Sequence, residues 1–172
     1  MEIRKLTRIS ILLSLSIVLS IIESIIPIFN GTIPGLKIGL ANISIMTVLY
    51  IYGIKEAAFI SIARIFIVGM LRTGLFNITF FFSLGGATLS LIAMFLVKKI
   101  KVFSIIGVSI VGSIFHTIGQ IIIAILFVKN LNILYYLPFL ILFAIPTGLV
   151  IGYMSKQIIF NFAKNVDRNI KM

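Results

Sequence analysis

Apolar runs of roughly bilayer length, broken only by short polar stretches, recur along the chain and restrict what it can fold into. They cover roughly residues 6–28, 37–53, 56–72, 76–97, 102–128 and 134–160. A helix needs about 20 consecutive apolar residues to cross a hydrocarbon core about 30 Å thick. Inside that core every backbone polar group must be satisfied by the chain itself. Continuous apolar runs of this length, without strict alternation, read as helices rather than barrel strands. The expected fold is all-α, an integral membrane bundle of about six transmembrane helices forming a single domain over residues 1–172. The second, third and sixth runs also suit tilted or partly re-entrant segments, and the spacing shows no internal repeat.

The breaks are IPIFNGTIPG at residues 26–35, residues 53–56, RTGLFN at 72–77, KKIK at 98–101 and KNLN at 129–132. Each carries Gly, Pro, Asn or charge, the usual punctuation between helices. Composition agrees: 60% of the 172 residues are hydrophobic and only 11% charged, outside the range of soluble domains. The first run has no small-residue cleavage site behind it, so it is expected to stay as a helix rather than leave as a signal peptide. Without cysteine, disulfides, thiolate metal sites and cysteine nucleophiles are excluded.

The net charge of +11 raises the question of nucleic acid. Basic residues at the ends of apolar spans, however, are what membrane orientation requires. With the N-terminus inside, Arg4, Lys5, Arg8, Lys55, Lys98, Lys99, Lys101, Lys156, Lys164, Arg168 and Lys171 fall on the inner side. Only Lys37, Arg72 and Lys129 fall outside. Both termini are therefore expected in the cytoplasm, in a multi-pass protein of the cell membrane that does not bind nucleic acid.

Several polar residues do not fit a purely lipid-facing bundle. Glu23 lies in the outer part of the first helix, and Lys37 and Asn42 lie in the first turns of the second. Arg64 sits about two turns inside the outer end of the third, while Arg72 and Asn77 flank the next outer loop. His116 and Gln120, four residues apart in FHTIGQ, share a face of the fifth helix. A charged group in the membrane costs roughly 2.5 to 3.5 kcal/mol on insertion scales, so such residues face one another or a cavity. Their similar depth predicts a polar cavity that opens to the outside and binds a small molecule. With more cations than carboxylates around it, an anionic, partly apolar solute fits best.

Each residue also has a plainer reading. Glu23 can pair structurally with Arg64 or Lys37, Lys37 and Arg72 can snorkel to the interface, and Asn42, His116 and Gln120 can hydrogen-bond neighbouring helices. Gly85 and Gly86, with Gly107, Gly112 and Gly119, suit close helix packing or exposure of backbone to a ligand. Phe80, Phe81 and Phe82 suit a pocket wall or a lipid-facing surface. On the first helix, Ser10 with Ser14, and Ser16 with Ser20 and Ser24, form small-residue stripes that let another helix approach. Gly148 and Gly152 form a comparable stripe near the end.

Absences exclude several activities. There is no G-x-x-x-x-G-K-[ST] loop, so the chain has no P-loop with which to hydrolyse ATP. The acids Glu2, Glu23, Glu56 and Asp167 are scattered, and His116 is the only histidine. Neither a catalytic trio nor a metal or cofactor site is expected.

The ordered motifs PGLKIGLANI (34–43), ARIFIVG (63–69), FSLGGATLSL (82–91) and GVSIVGSIFHTIGQ (107–120) resemble the Gx transporter family across nearly the whole chain. That family is also labelled heptaprenyl diphosphate synthase component I, and its members look like substrate-binding S components of energy-coupling factor (ECF) transporters. The resemblance implies a compact bundle working with a transmembrane coupling subunit and two ABC ATPases. It implies that Lys37, Asn42, Arg64, His116 and Gln120 are family features. It also implies that Ser10 and Ser14 occupy the place where S components carry small residues, often alanines, toward the coupling subunit. Polyprenyl diphosphate synthases carry two aspartate-rich clusters, whereas Asp167 is the single aspartate here. The chain is thus expected not to be an enzyme but to capture a small anionic nutrient, with a quinone or isoprenoid precursor as the substrate guess. A non-catalytic membrane scaffold for a prenyl synthase and a self-sufficient secondary carrier are the alternatives.

Overall fold

A computed structural model describes residues 2–25 and 39–170. Those residues form helices and turns, with no strand among them. The helices are α1 (Glu2–Ile25), α2 (Asn42–Ile51), α3 (Ile54–Val68), α4 (Ile78–Ile100), α5 (Ile105–Val128) and α6 (Leu137–Ile170). A π-helical turn, Gly69–Thr73, extends α3, and a 3-10 turn, Leu131–Tyr136, precedes α6.

Four of these helices are long and apolar enough to cross a membrane, within Ile3–Ile25, Ile78–Ile100, Ile105–Val128 and Leu131–Phe162. At about 1.5 Å per residue, the 24 residues of α5 span about 36 Å. The 15 residues of α3 reach bilayer length only when the 5-residue π-turn is added. The second predicted span differs most. Its described helix has 10 residues, about 15 Å, half the hydrocarbon thickness.

The cause of that short helix is local. Gly39, with φ of +88°, takes a left-handed conformation that a side chain would strain. The chain then turns so that Asn42 N–H donates to Gly39 O at 2.8 Å and Ile43 N–H to Leu40 O at 3.1 Å. At the other end Gly53, φ +107°, reverses the chain into α3. Between these glycines, Asn42 to Leu49 are all buried. A largely apolar helix buried on every side must be enclosed, and α2 packs against α1, α3, α4 and α6. Ile45, Met46, Val48 and Leu49 form the main core with Ala57, Ile60, Leu91, Met94 and Val108.

Polar contacts hold α2 along its length. Ser155 Oγ, on α6, donates to Ile43 O at 3.3 Å, and Lys98 Nζ, at the end of α4, donates to Leu49 O at 2.7 Å. The lysine lies 4.6 Å from the Tyr50 ring centroid as well. A cation at a helix C-terminus satisfies carbonyls that have no partner within the helix and complements its dipole.

The glycines explain the helix packing. A Cβ on Gly119 would lie 2.4 Å from Gly85 O, so α4 and α5 touch backbone to backbone. Gly148 and Gly152 do the same for α6, where a Cβ would lie 2.7 Å from Ile110 Cα and 2.9 Å from Ile106 Cα respectively. Among the two roles open to these residues in sequence, close packing is the one the coordinates display. The two serine stripes of α1 also separate: Ser16 and Ser20 are buried in the bundle, while Ser10 and Ser14 lie on its exposed face.

At the end of the bundle holding the start of α1, Lys5 pairs with Glu56, and the Arg8 guanidinium sits 4.7 Å from the Phe162 ring. These contacts tie α1 to α3 and α6 there. Glu23, near the far end of α1, belongs to a different environment.

Candidate functional site

Beyond the α2 N-terminus lies a small cavity lined by Ser20, Glu23, Gly39, Arg64, Ile65, Val68, Phe80, Ser83 and His116. Its free volume is about 20 Å³, room for one water-sized group. Five segments meet there: α1, the turn before α2, α3, α4 and α5.

Glu23 enters from near the C-terminal end of α1 and its carboxylate accepts the backbone N–H of Gly39. That bond fixes the turn that starts α2. Arg64 enters from α3 and its Nη1 donates to Ser20 Oγ at 3.3 Å. Glu23 and Arg64 also attract one another electrostatically. The Arg64 side chain is only 5% exposed, and its Nε and Nη2 are buried without a hydrogen-bond partner. An ionised group buried this way is costly unless paired and hydrogen-bonded, and these two nitrogens leave Arg64 with unused donor capacity at the cavity it lines.

His116 and Gln120 lie one turn apart on α5, both buried. Gly86 makes room for them: a Cβ there would approach His116 Cε1 and Gln120 Cγ to 3.0 Å. On the opposite side of the imidazole, a Cβ on Gly39 would meet Asn42 Nδ2 at 2.9 Å and His116 Cδ2 at 3.6 Å. Asn42, Gly39, His116, Gly86 and Gln120 therefore form one packed group. Both amide atoms of Asn42 and of Gln120 are buried without a hydrogen-bond partner. Such groups cost about 1–3 kcal/mol each unless something supplies the missing bonds.

Of the residues singled out in sequence, Glu23, Arg64 and His116 line the cavity, and Asn42 and Gln120 pack beside it. Arg72 and Asn77 do not join them: both side chains are exposed on the turn between α3 and α4. Lys37 lies outside the described residues. Ser20 and Ser83 were not anticipated at the site. The signal for Ser20 was present in its four-residue spacing from Ser16 and Ser24, which marks an inward face of α1. For Ser83 no signal existed, since its hydroxyl bonds Thr79 O as helical serines commonly do. Phe80, which sequence left between pocket wall and lipid surface, is 3% exposed and forms the wall.

Among the described residues no three His, Cys, Asp or Glu side chains gather where they would hold a metal ion. The available chemistry is recognition: one guanidinium, one carboxylate, an imidazole and two amides around a small space with apolar walls.

No curated protein and no solved structure matches the chain. A family described as heptaprenyl diphosphate synthase component I matches residues 12–158, a stretch that contains every residue lining the cavity. The chain belongs to the heptaprenyl diphosphate synthase component I family.

Proposed function

We propose that this chain is the substrate-binding membrane subunit of an ECF-type importer, with both termini in the cytoplasm and the cavity on the outer side. It captures a small anionic organic compound, of the quinone- or isoprenoid-precursor class, and hands it inward when partner ATPases act through a coupling subunit. The chain itself is not catalytic. Arg64 contacts the anion, and Glu23, His116, Asn42 and Gln120 orient it; Lys37 is a further candidate contact.

The observation that carries this reading is Arg64: buried, held by Ser20, and with two guanidinium nitrogens unpaired at a cavity beside a helix N-terminus. Helix N-termini within membranes favour anionic groups through their free amides and dipole. Exposed Ser10 and Ser14 leave a small-residue surface on α1 for the coupling subunit. The test is native mass spectrometry of the protein purified from membranes, seeking a retained small anion that Arg64→Gln loses. Retention unchanged by Arg64→Gln removes the residue from the site.

The family description favours a second reading, a non-catalytic membrane component of a heptaprenyl diphosphate synthase. Co-purification separates the two. ATPases and a coupling subunit support the importer, and a soluble synthase subunit supports the scaffold.

A further inference from the structure

The enclosed part of the cavity has room for one water-sized group, so an organic ligand needs more space than the described walls leave. The five surrounding segments are not equally fixed. The wall formed by α4 and α5 is locked by the Gly85–Gly119 backbone contact. Glu23 pins the turn before α2. Arg64 ties α3 to α1 through Ser20, and α3 packs more extensively on α1 and α2 than on α4. Among the described residues, the seam between α3 and α4 is filled by side chains rather than by a backbone contact.

Its filling is distinct from the main core. Ile65, Phe80 and Ala87 make a small separate cluster, with Phe81 and Leu84 against it. Phe80 closes the seam. Its ring contacts Phe66 with centroids 5.3 Å apart and Phe76 with centroids 5.7 Å apart, and both of those side chains are exposed on the outer surface. Gly69 provides the notch that receives it, since a Cβ there would lie 3.1 Å from Phe80 Cδ2. The π-turn begins at that glycine, and single π-turns within helices are frequent at functional sites. Phe76, a bulky residue at φ +61°, holds a strained left-handed conformation just beyond. One continuous apolar path thus runs from the cavity, past Ile65, Val68 and Phe80, to Phe66 and Phe76 on the exposed face.

We propose that the α3–α4 seam is a lateral portal through which the hydrocarbon tail of an amphiphilic ligand extends into the bilayer while its anionic head meets Arg64. Phe80 is the plug that the tail displaces. This rests on the binding-site reading above and adds the ligand class: a small phosphate- or carboxylate-headed amphiphile with an isoprenoid-like tail.

The test uses the full chain in phosphatidylcholine nanodiscs with two probes, farnesyl phosphate and isopentenyl phosphate, measured by native mass spectrometry. The wild-type protein should hold farnesyl phosphate at least tenfold more tightly, and Arg64→Gln should lose both probes. Gly69→Leu, whose side chain would stand in the seam where the tail passes, beside Phe80 and Leu75, should abolish the farnesyl advantage while changing isopentenyl phosphate affinity less than twofold. If that variant does not fold, Gly69→Ala should reduce the advantage in the same direction. In the wild-type protein, a diazirine at the tail end of farnesyl phosphate should label the segment containing Phe66, Phe76 or Phe80. Arg64-dependent binding with labels confined to α5 or α6, or an undiminished farnesyl advantage in the Gly69 variants, overturns the portal and leaves the site standing. Binding of neither probe, or binding indifferent to Arg64→Gln, overturns the site and the portal together.

Discussion

The Glu23 carboxylate accepts the backbone N–H of Gly39, 16 residues later, and so joins the C-terminal end of α1 to the turn that launches α2. The bond serves two purposes, satisfying a buried amide and placing a negative charge beside Arg64. Glu23→Ala should destabilise the protein by about 1–3 kcal/mol, because the amide is left without its acceptor. Glu23→Gln keeps an acceptor and should cost less than Glu23→Ala. Denaturation in mild detergent, followed by circular dichroism, measures both; equal losses would show that charge, rather than the amide contact, dominates.

The helix interfaces give a sharper contrast. Gly119→Ala puts a methyl 2.4 Å from a backbone oxygen that cannot turn aside, and should cost at least about 1–3 kcal/mol. Gly107→Ala meets the Phe103 side chain at 3.3 Å and Ser104 Oγ at an ordinary 3.7 Å, and gains helix propensity, so its effect should stay within about 1 kcal/mol of neutral. Melting temperatures of the two variants in the same detergent decide the matter.

Lys98 anchors the other end of the central helix. Lys98→Met retains most of the side-chain stem but loses the bond to Leu49 O and the dipole interaction, at a cost of about 1 kcal/mol. Lys5→Ala breaks a more exposed ion pair with Glu56 and should cost under about 1 kcal/mol. Added salt should narrow the Lys5 difference more than the Lys98 difference, because Lys98 bonds a carbonyl rather than a solvated carboxylate.

Ligand retention should follow position relative to the cavity. Arg64→Gln should reduce it more than tenfold, by losing a charge-assisted bond worth about 1.5–3 kcal/mol. Arg72→Ala, on the exposed turn, should change it less than twofold. A tenfold loss with Arg72→Ala would place the anion contact on this exposed turn instead.

Much of this was legible from the chain. Long apolar runs specify helices in a bilayer, and polar residues that such runs should exclude are visible one by one; Glu23, Arg64 and His116 did converge. Depth along a helix, however, says nothing of azimuth. Arg72 and Asn77 read like the others in sequence, but they sit on a turn where their side chains are exposed. The length of α2 was illegible for another reason. An apolar stretch reads alike whether lipid or protein surrounds it, and only Gly39 and its carboxylate contact show where the helix begins. Phe80 was ambiguous because an aromatic run gives no sign of which ring turns inward.

The enclosure of α2 bears on how the protein is made. A segment of about 15 Å cannot be threaded across a bilayer alone, and one of its partners, Ser155, is synthesised 112 residues after Ile43. The enclosure of α2 is therefore complete only once the last helix has been made. Chains arrested before α6 should expose α2 to protease digestion that spares the finished product.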